Sequence, residues 1–167
     1  MSDMDKRNAV EGLFQDIMNA SSEKDLEILE QLLSGVKRKL QEPQTTYISE
    51  LLQMERTVDQ HRCIMTIPIN ELTENTAHIL HGGMTATLLD TAMGTLANDV
   101  LPEDMGAVTS NLNIYYIAPG IGKSIKVIAE IIHKGTQTIV LEASAFRDDE
   151  VKIAHCTSTF HIIKRKK

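Results

Sequence analysis

The sequence predicts an α+β domain, in which an antiparallel sheet wraps around one central helix, with an N-terminal helical extension in front of it. A stretch from Gly82 to about Leu101 is almost wholly apolar, which is typical of a helix that is buried on most sides. One strand-like run precedes this helix, and four follow it with turn residues between them. Helices and strands that are grouped along the chain in this way favour the α+β class.

The region in front of the sheet, residues 1–55, is predicted to be helical. Ser22 to Asp25 resembles a capping box, and the helix that it opens is expected to end at Pro43. A shorter amphipathic helix is expected over residues 4–20, and a third from Tyr47 to Met54. We expect an appendage that packs on the domain or on a sister subunit. Apolar residues recur at helical spacing in the second helix, at Leu26, Leu29, Leu33, Val36 and Leu40.

The sheet is predicted from residue 56 onwards. Thr57 to Ile69 is expected to form a single strand, and a polar loop over residues 70–80 joins it to the central helix. Turn residues then separate four further runs, which we expect to form a meander. These runs are Ala107–Ala118, Ser124–His133, Thr138–Arg147 and Val151–Ile163. The predicted domain therefore covers residues 56–163, and a basic tail follows at 164–167.

The composition is that of an ordinary globular protein, with 42% hydrophobic and 24% charged residues in a chain of 167. No apolar run approaches the roughly 18 residues that a membrane span needs, and the acidic N-terminus lacks an apolar signal region. The net charge of −6 argues against a general nucleic-acid binder. We therefore expect a cytoplasmic protein with no membrane or nucleic-acid partner, in which Cys63 and Cys156 are reduced thiols.

The most informative motif is His81-Gly82-Gly83, followed by Asp90 inside the predicted central helix. Asp90 is the only ionisable residue between Met84 and Asn98, and a carboxylate is costly to bury without a partner. Backbone N–H groups at a helix start can bind developing negative charge, and glycines let a ligand approach them closely. Oxyanion donors and a carboxylate base on one segment suggest acyl-transfer hydrolysis, and a purely structural partner for Asp90 is the alternative.

On one copy of the helix, Gly82 and Asp90 are too far apart to act on the same carbonyl. Eight residues at the helical rise separate them by roughly 12 Å, whereas a donor and a base must both lie about 3 Å from the reacting atom. Two antiparallel copies would place Gly82 of one subunit opposite Asp90 of the other. The sequence thus predicts composite sites in a homodimer. We also expect the dimers to pair into a homotetramer, although the sequence leaves this step and its packing mode open.

Polar residues around this motif are candidates for supporting roles. His81 is either a general base or a residue that orients the loop through its ring hydrogen bonds. Asn75 can donate an amide hydrogen bond to a carbonyl, or it is a simple loop residue. Thr109 and Ser110 open the next strand, and either hydroxyl could position a water for the carboxylate. The basic turn Lys134-Gly135-Thr136 suits a phosphate group, although an ordinary hairpin turn explains it as well.

The run from Asn75 to Gly83, with Asp90 beyond it, resembles the hotdog-fold acyl-CoA thioesterases of the phenylacetic-acid-pathway (PaaI-like) type. The resemblance covers about residues 56–163. It implies a hotdog fold, an acyl-CoA substrate, and no cofactor, because coenzyme A is part of the substrate.

The resemblance also implies a role for each matching residue. The N–H of Gly82 would be the oxyanion donor, with Gly83 beside the substrate, Asn75 polarising the thioester carbonyl and His81 shaping the turn. Asp90 of the opposing subunit would be the nucleophile or the general base, Thr109 would orient water, and Lys134, Gly135 and Thr136 would contact coenzyme A.

This chain departs from the family pattern at two positions. His78 stands where many relatives carry glycine, which puts the shape of the loop before His81 in question. The family hydroxyl is often serine, and here Thr109 aligns best, with Ser110 as its neighbour.

Two other functions stay open beside hydrolysis. A non-catalytic acyl-CoA sensor would share the fold, but Asp90 is present, and ten acidic against six basic side chains in residues 1–50 are poorly suited to DNA. A hotdog hydratase would pair an acid with a histidine, and no Asp-x-x-x-x-His spacing occurs in the chain.

Overall fold

The structure is a computed structural model that describes residues 2–165, and its contacts divide the chain into two compact units between Leu51 and Leu52. The N-terminal unit contains three helices, α1 (Asp3–Ala20), α2 (Glu23–Gln41) and α3 (Tyr47–Leu51). The C-terminal unit contains one helix, α4 (Gly82–Asp99), and the strands of one sheet. The strands are β1 (Glu55–Val58), β2 (Arg62–Pro68), β3 (Met105–Tyr116), β4 (Ser124–Lys134), β5 (Thr138–Arg147) and β6 (Lys152–Lys164).

The N-terminal helices begin where their capping residues predict. Ser22 accepts a hydrogen bond from the Asp25 N–H while the Asp25 carboxylate accepts one from the Ser22 N–H, so the predicted capping box of α2 is confirmed. Ser2 caps α1 with the same reciprocal pair of hydrogen bonds. The third helix is shorter than predicted, since it ends at Leu51 instead of Met54. Gln53 has a φ of 52°, and a right-handed helix cannot continue through that conformation.

Within the N-terminal unit, α3 packs closely against one face of α2. Gly35 is buried there, and a Cβ atom at this position would lie 2.9 Å from the carbonyl oxygen of Glu50. Arg38 donates to both the carboxylate and the carbonyl of Glu50, at 2.9 and 2.8 Å. Gln31 donates to the carbonyl of Leu51 at 2.9 Å. Side chains from one face of α2 therefore satisfy the backbone carbonyls at the end of α3.

The C-terminal unit is a six-stranded antiparallel sheet in the order β1-β2-β4-β5-β6-β3, and α4 packs against it. The side of α4 that meets the sheet is fully buried, and the inward residues of β2, β4, β5 and β6 complete the core. The α+β class and the sheet around a central helix are thus confirmed. Among the described residues, no helix is long and apolar enough to cross a membrane. The buried residues of α4 are Thr85, Leu88, Leu89, Ala92, Met93, Leu96 and Ala97.

The predicted single strand from Thr57 to Ile69 is wrong, because the segment folds as the β1–β2 hairpin. Asp59 makes the turn: its carboxylate accepts from the N–H groups of His61 and Arg62, at 2.8 and 2.9 Å. These hydrogen bonds hold the pKa of Asp59 below its usual value. An aspartate turn of this kind needs no glycine or proline.

The predicted four-strand meander is wrong at β3, which lies beside β6 and not beside β4. After β3 the N–H groups of Ile117 and Ala118 both donate to the carbonyl of Ile153, so the chain continues along β6 instead of turning back. It then reaches β4, which fills the place between β2 and β5. As a result β3 forms one edge of the sheet.

The ends of the C-terminal unit differ from the limits predicted for the domain. Leu52, four residues before the expected boundary at residue 56, is buried in the core of this unit. At the other end, Lys164 belongs to β6 and Arg165 donates from its backbone to the carbonyl of Asp104. The last two residues of the expected basic tail, 166 and 167, lie outside the described residues.

Candidate active site

The first turn of α4 leaves one backbone donor free for a ligand. His81 is the N-cap, and its Nδ1 accepts the N–H of Gly83 at 2.9 Å. The carbonyl of His81 accepts the N–H groups of Met84 and Thr85. Within residues 2–165 the N–H of Gly82 meets no acceptor. The two glycines therefore differ: the N–H of Gly83 donates to the His81 ring, and the N–H of Gly82 is free to bind a ligand.

His81 has the geometry of a residue that shapes the turn. An Nδ1 that accepts a backbone N–H carries no proton of its own, so the proton of the neutral ring is on Nε2. The His81 N–H donates to the carbonyl of Thr73 at 2.9 Å, which ties the turn to a buried residue of the preceding loop. The ring of His81 thus binds the first turn of α4 while its backbone N–H binds the preceding loop, so the residue holds the two together.

The loop before His81 turns at His78, one of the two positions at which the sequence departs from the pattern of the family that it resembles. His78 has a φ of 55°, in the left-handed region that favours glycine. Its N–H donates to the carbonyl of Asn75 at 2.9 Å, and its ring lies 3.5 Å from the carboxylate of Glu74. The histidine therefore adopts the conformation that glycine would take, at the cost of backbone strain.

The side chain of Asn75 is oriented by its own loop. Its Oδ1 accepts the N–H of Ala77 at 2.9 Å, and its backbone N–H donates to the carbonyl of Ile79 at 2.9 Å. Because the oxygen of the amide is used in this way, Nδ2 is the end that can donate to a ligand. Asn75 and Gly82 both line the same cavity.

That cavity has a volume of about 400 Å³ and lies at the first turn of α4. Its size is within the usual range for small-molecule sites. Tyr116, which sequence reasoning missed, also lines it and donates from its hydroxyl to the carbonyl of Gly82 at 2.8 Å. The cavity thus combines a few polar donors with an apolar wall. The apolar lining comes from Ile79, Leu80, Ile117, Ala118, Pro119 and Ile153.

Asp90 does not line this cavity; it lies two turns further along α4. It is half-buried, and its Oδ1 accepts the hydroxyl of Thr109 at 2.8 Å. The pairing of β3 with β6 slips between Thr109 and Asn111, so Ser110 is the extra residue of a bulge. Of the two candidate hydroxyls, Thr109 is therefore the one in contact with the carboxylate.

The side of α4 that carries Asp90 is only partly covered by the sheet, since Thr109 of β3 contacts the acid and Phe160 of β6 lies beside Gly94. Gly83 is exposed, and Thr87, Asp90, Thr91 and Gly94 are half-buried. The hydroxyls of Thr87 and Thr91 donate to the carbonyls four residues back, at 2.9 and 2.6 Å. With both hydroxyls bound within the helix, Asp90 is the one charged residue among these five.

The basic turn lies at the opposite end of α4 from Gly82. Lys134 donates from its ammonium group to the carbonyl of Val100, which ends the helix, and the N–H of Gly135 donates to the carbonyl of Thr138 at 2.9 Å. Within one chain, the structure therefore brings Asn75, His81 and Gly82 together and does not join them to Asp90 or to the turn that contains Thr136. An ammonium at a helix C-terminus is a favourable arrangement in its own right.

The two cysteines are excluded as nucleophiles near neutral pH. Cys63 and Cys156 are free thiols that are fully buried. Burial raises the pKa of each thiol to about 11, so the reactive thiolate is scarce.

Comparison with known proteins identifies the family. Residues 77–154 match the family model described as the thioesterase superfamily. The crystal structure of the BH2602 protein from Bacillus halodurans, with CoA, has a TM-score of 0.84 at 34% identity and covers 91% of this chain and 99% of that one. The structure of the Escherichia coli PaaI protein from the phenylacetic acid degradation operon has the same fold, with a TM-score of 0.66 at 19% identity over 80% of this chain and 96% of that one.

A curated relative carries an enzymatic name. The medium/long-chain acyl-CoA thioesterase YigI of Salmonella typhimurium is 27% identical over 50% of this chain and 63% of its own length, so the match spans less than two thirds of that protein. The hotdog fold implied by the motif is confirmed, and family membership supports thioester hydrolysis as the general class of reaction. The chain belongs to the hotdog-fold thioesterase superfamily.

Proposed function

We propose that this protein hydrolyses acyl-CoA thioesters to a free acid and coenzyme A. The observation that carries the proposal is the unpaired N–H of Gly82, a residue that lines the same cavity of about 400 Å³ as Asn75. A thioester carbonyl that enters this cavity would meet two donors, and its oxygen gains negative charge when it is attacked. The apolar wall would accept the acyl chain.

The attacking group would be activated by Asp90. As a general base, the carboxylate would take a proton from water while the water oxygen bonds to the carbonyl carbon; the tetrahedral intermediate would then expel the thiolate of coenzyme A. As a nucleophile, the carboxylate would bond to the carbonyl carbon while the C–S bond breaks and the thiolate of coenzyme A leaves; water would then hydrolyse the resulting mixed anhydride to the free acid and regenerate Asp90. The Thr109 hydroxyl, 2.8 Å from Asp90, would hold the carboxylate in place in either route.

A second copy of the chain would supply the missing half of each site. The 12-residue strand β3 forms an edge of the sheet and exposes Val108, Tyr115 and Tyr116, which is typical of an edge that pairs with another chain. Two β3 strands that pair antiparallel about a two-fold axis would set the two α4 helices antiparallel. This arrangement supports a composite site in which Gly82 of one subunit faces Asp90 of the other.

The same symmetry would bring the basic turn of one subunit towards the first turn of the other. Lys134, Gly135 and Thr136 would then contact the phosphates of coenzyme A at the mouth of the site, which requires the Lys134 ammonium to exchange its hydrogen bond with the Val100 carbonyl. The related Bacillus halodurans protein was crystallised with CoA, which supports the same class of ligand here.

The test uses Gly82→Pro, which deletes the proposed oxyanion N–H with little change in shape. Gly82 is the first helical residue, where proline is well tolerated, and His81 has the φ of −62° and ψ of 133° that a residue before proline needs. We expect kcat for thiol release from a panel of acyl-CoAs to fall by about 10²–10³.

The matched control is Gly82→Ala, which keeps the N–H. Its Cβ would lie 3.6 Å from the Tyr116 ring, an ordinary contact, so we expect it to retain most activity. Equal activity of the proline and alanine variants would contradict the proposed role of this donor. Absence of thiol release from every acyl-CoA in the unmodified protein would contradict the proposed reaction.

A further inference from the structure

The face of α2 opposite α3 carries a heptad pattern that the proposed reaction does not use. Its apolar residues recur at alternating spacings of three and four, which is the a and d pattern of a two-stranded coiled coil. Three of them are exposed, with Leu33 at 48%, Val36 at 37% and Leu40 at 71%. The face packed on α3, with Gln31, Gly35 and Arg38, lies on the other side of the helix.

The charges of α2 are separated along its length. Its first half carries Glu23, Asp25, Glu27 and Glu30 with one lysine, and its second half carries Lys37, Arg38 and Lys39 with no acid. Arg38 is paired with Glu50 of α3, so the two lysines are the cations that a second helix would meet. A second copy of α2 in parallel would set the acidic halves side by side, and like charges repel. A second copy in antiparallel orientation would set each acidic half against a basic half. Charge complementarity thus specifies both a partner and its direction.

We propose that α2 pairs antiparallel with α2 of a second copy of this chain through Leu29, Leu33, Val36 and Leu40. In this register Leu33 of one copy packs against Val36 of the other, and Leu29 packs against Leu40, which gives four apolar layers. Glu30 then lies beside Lys37 of the second copy, twice by symmetry. The inference concerns the helical unit alone and does not depend on the proposed reaction or on the pairing proposed for β3.

The exposed apolar face of α1 gives no comparable indication of what would pack on it. α1 exposes Val10, Leu13 and Phe14, and it does not pack along α2. Its acidic and basic residues are mixed within the first turns, so its charges favour neither direction of pairing. The periodic apolar face and the divided charge occur together only on α2 among the helices of this unit that the structure describes.

Disulfide trapping in the full-length protein tests the register. Leu33→Cys and Val36→Cys chains, carrying different tags, are co-expressed and oxidised, and the disulfide-linked species are separated on a denaturing gel. Random linking of two equally abundant chains would give twice as much of the mixed species as of either self-linked species. Antiparallel pairing therefore predicts that the mixed species exceeds either self-linked species by far more than twofold, since a disulfide requires Cα atoms within about 7 Å. The buried native cysteines do not compete.

The controls separate this contact from chance collision and from packing within one chain. Glu27→Cys lies on the far side of α2 and should give no linked species above background. Glu30→Lys should slow the cross-linking several-fold by placing two lysines together, and adding Lys37→Glu should restore it. Glu30 and Lys37 are seven residues apart, too far for an i,i+4 pair within one helix.

Each alternative outcome overturns the proposal. Preferential self-linking of identical positions would mean a parallel pair. Linking no greater than that of Glu27→Cys would mean that the face is covered by the same chain or by nothing. Thioester hydrolysis by the same samples is measured separately, so failure of this inference and failure of the proposed function are distinguishable.

Discussion

The first turn of α4 and the middle of the helix differ in how many groups of the proposed site one chain brings together. At the first turn, His81 holds the backbone, Asn75 presents an amide and Tyr116 binds the Gly82 carbonyl, all at one cavity. In the middle, Asp90 is held by Thr109 and is half-buried, and it does not line that cavity. One chain thus completes the surroundings of the Gly82 N–H, whereas the role proposed for Asp90 requires a second surface opposite it.

The largest effect is expected from Asp90→Asn, which removes the charge and keeps the shape. Turnover should fall by about 10²–10⁴ because the amide can neither take a proton from water nor attack a carbonyl. Binding of a non-hydrolysable acyl-CoA thioether, measured by calorimetry, should change little. Unchanged turnover in the thiol-release assay would mean that the middle of α4 takes no part in the chemistry.

Mixing Gly82→Pro chains with Asp90→Asn chains tests whether the oxyanion donor and the acid of one site come from different chains. Co-expressed Gly82→Pro and Asp90→Asn chains should form hybrid dimers in which one of two sites is intact, and random pairing should recover about a quarter of the original activity. The two proteins purified separately and assayed without subunit exchange provide the baseline. Activity that stays at this baseline after exchange would show that the donor and the acid act within one chain.

A smaller effect is expected at the hydroxyl beside the acid. Thr109→Val removes the 2.8 Å hydrogen bond to the carboxylate, and a hydrogen bond to a charged group contributes about 1.5–3 kcal/mol. We expect kcat to fall about tenfold or more. Ser110→Ala, at the adjacent bulge, is the control and should remain near the original rate. A larger loss at Ser110 than at Thr109 would reverse the two assignments.

The smallest effect concerns the loop before the Gly82 donor. His78 is held at a φ of 55°, and a left-handed conformation costs about 1–2 kcal/mol for a residue with a side chain. His78→Gly should therefore be more stable than His78→Ala by about 1 kcal/mol, after allowance for the greater chain entropy of glycine. Urea unfolding measures the difference. Equal stability of the two variants would mean that the loop relaxes without strain.

Much of the fold could be predicted because the signals were local. Short-range patterns marked the capping box at Ser22, the apolar run of α4 and the turns after β4 and β5. Except at α3, the helices and the later strands lie within two residues of their predicted limits. The position of β3 could not be predicted in this way. Its place beside β6 depends on pairing across about fifty residues.

The candidate site was predictable where a motif marked it. The run around Gly82 and Asp90 marked the helix start and the acid. Thr109 was expected to orient a water for Asp90, and in the structure its hydroxyl donates to the carboxylate directly. Tyr116 carried no signal, because its role depends on the far end of β3 returning to the first turn of α4. The Lys134 ammonium was expected to be available for phosphate, but it binds the end of α4, a contact across 34 residues.

The single extra residue at Ser110 changes which side chains of β3 face α4. Thr109 and Tyr116 are seven positions apart, and in an uninterrupted strand an odd separation points two side chains to opposite sides. The slip in pairing reverses this alternation, so the threonine reaches the acid while the tyrosine reaches the oxyanion turn. Deleting Ser110 would leave these two residues six positions apart, and an even separation in an uninterrupted strand also keeps both side chains on one side. The bulge therefore lets β3 carry one more residue than its partner without turning either side chain away from the helix.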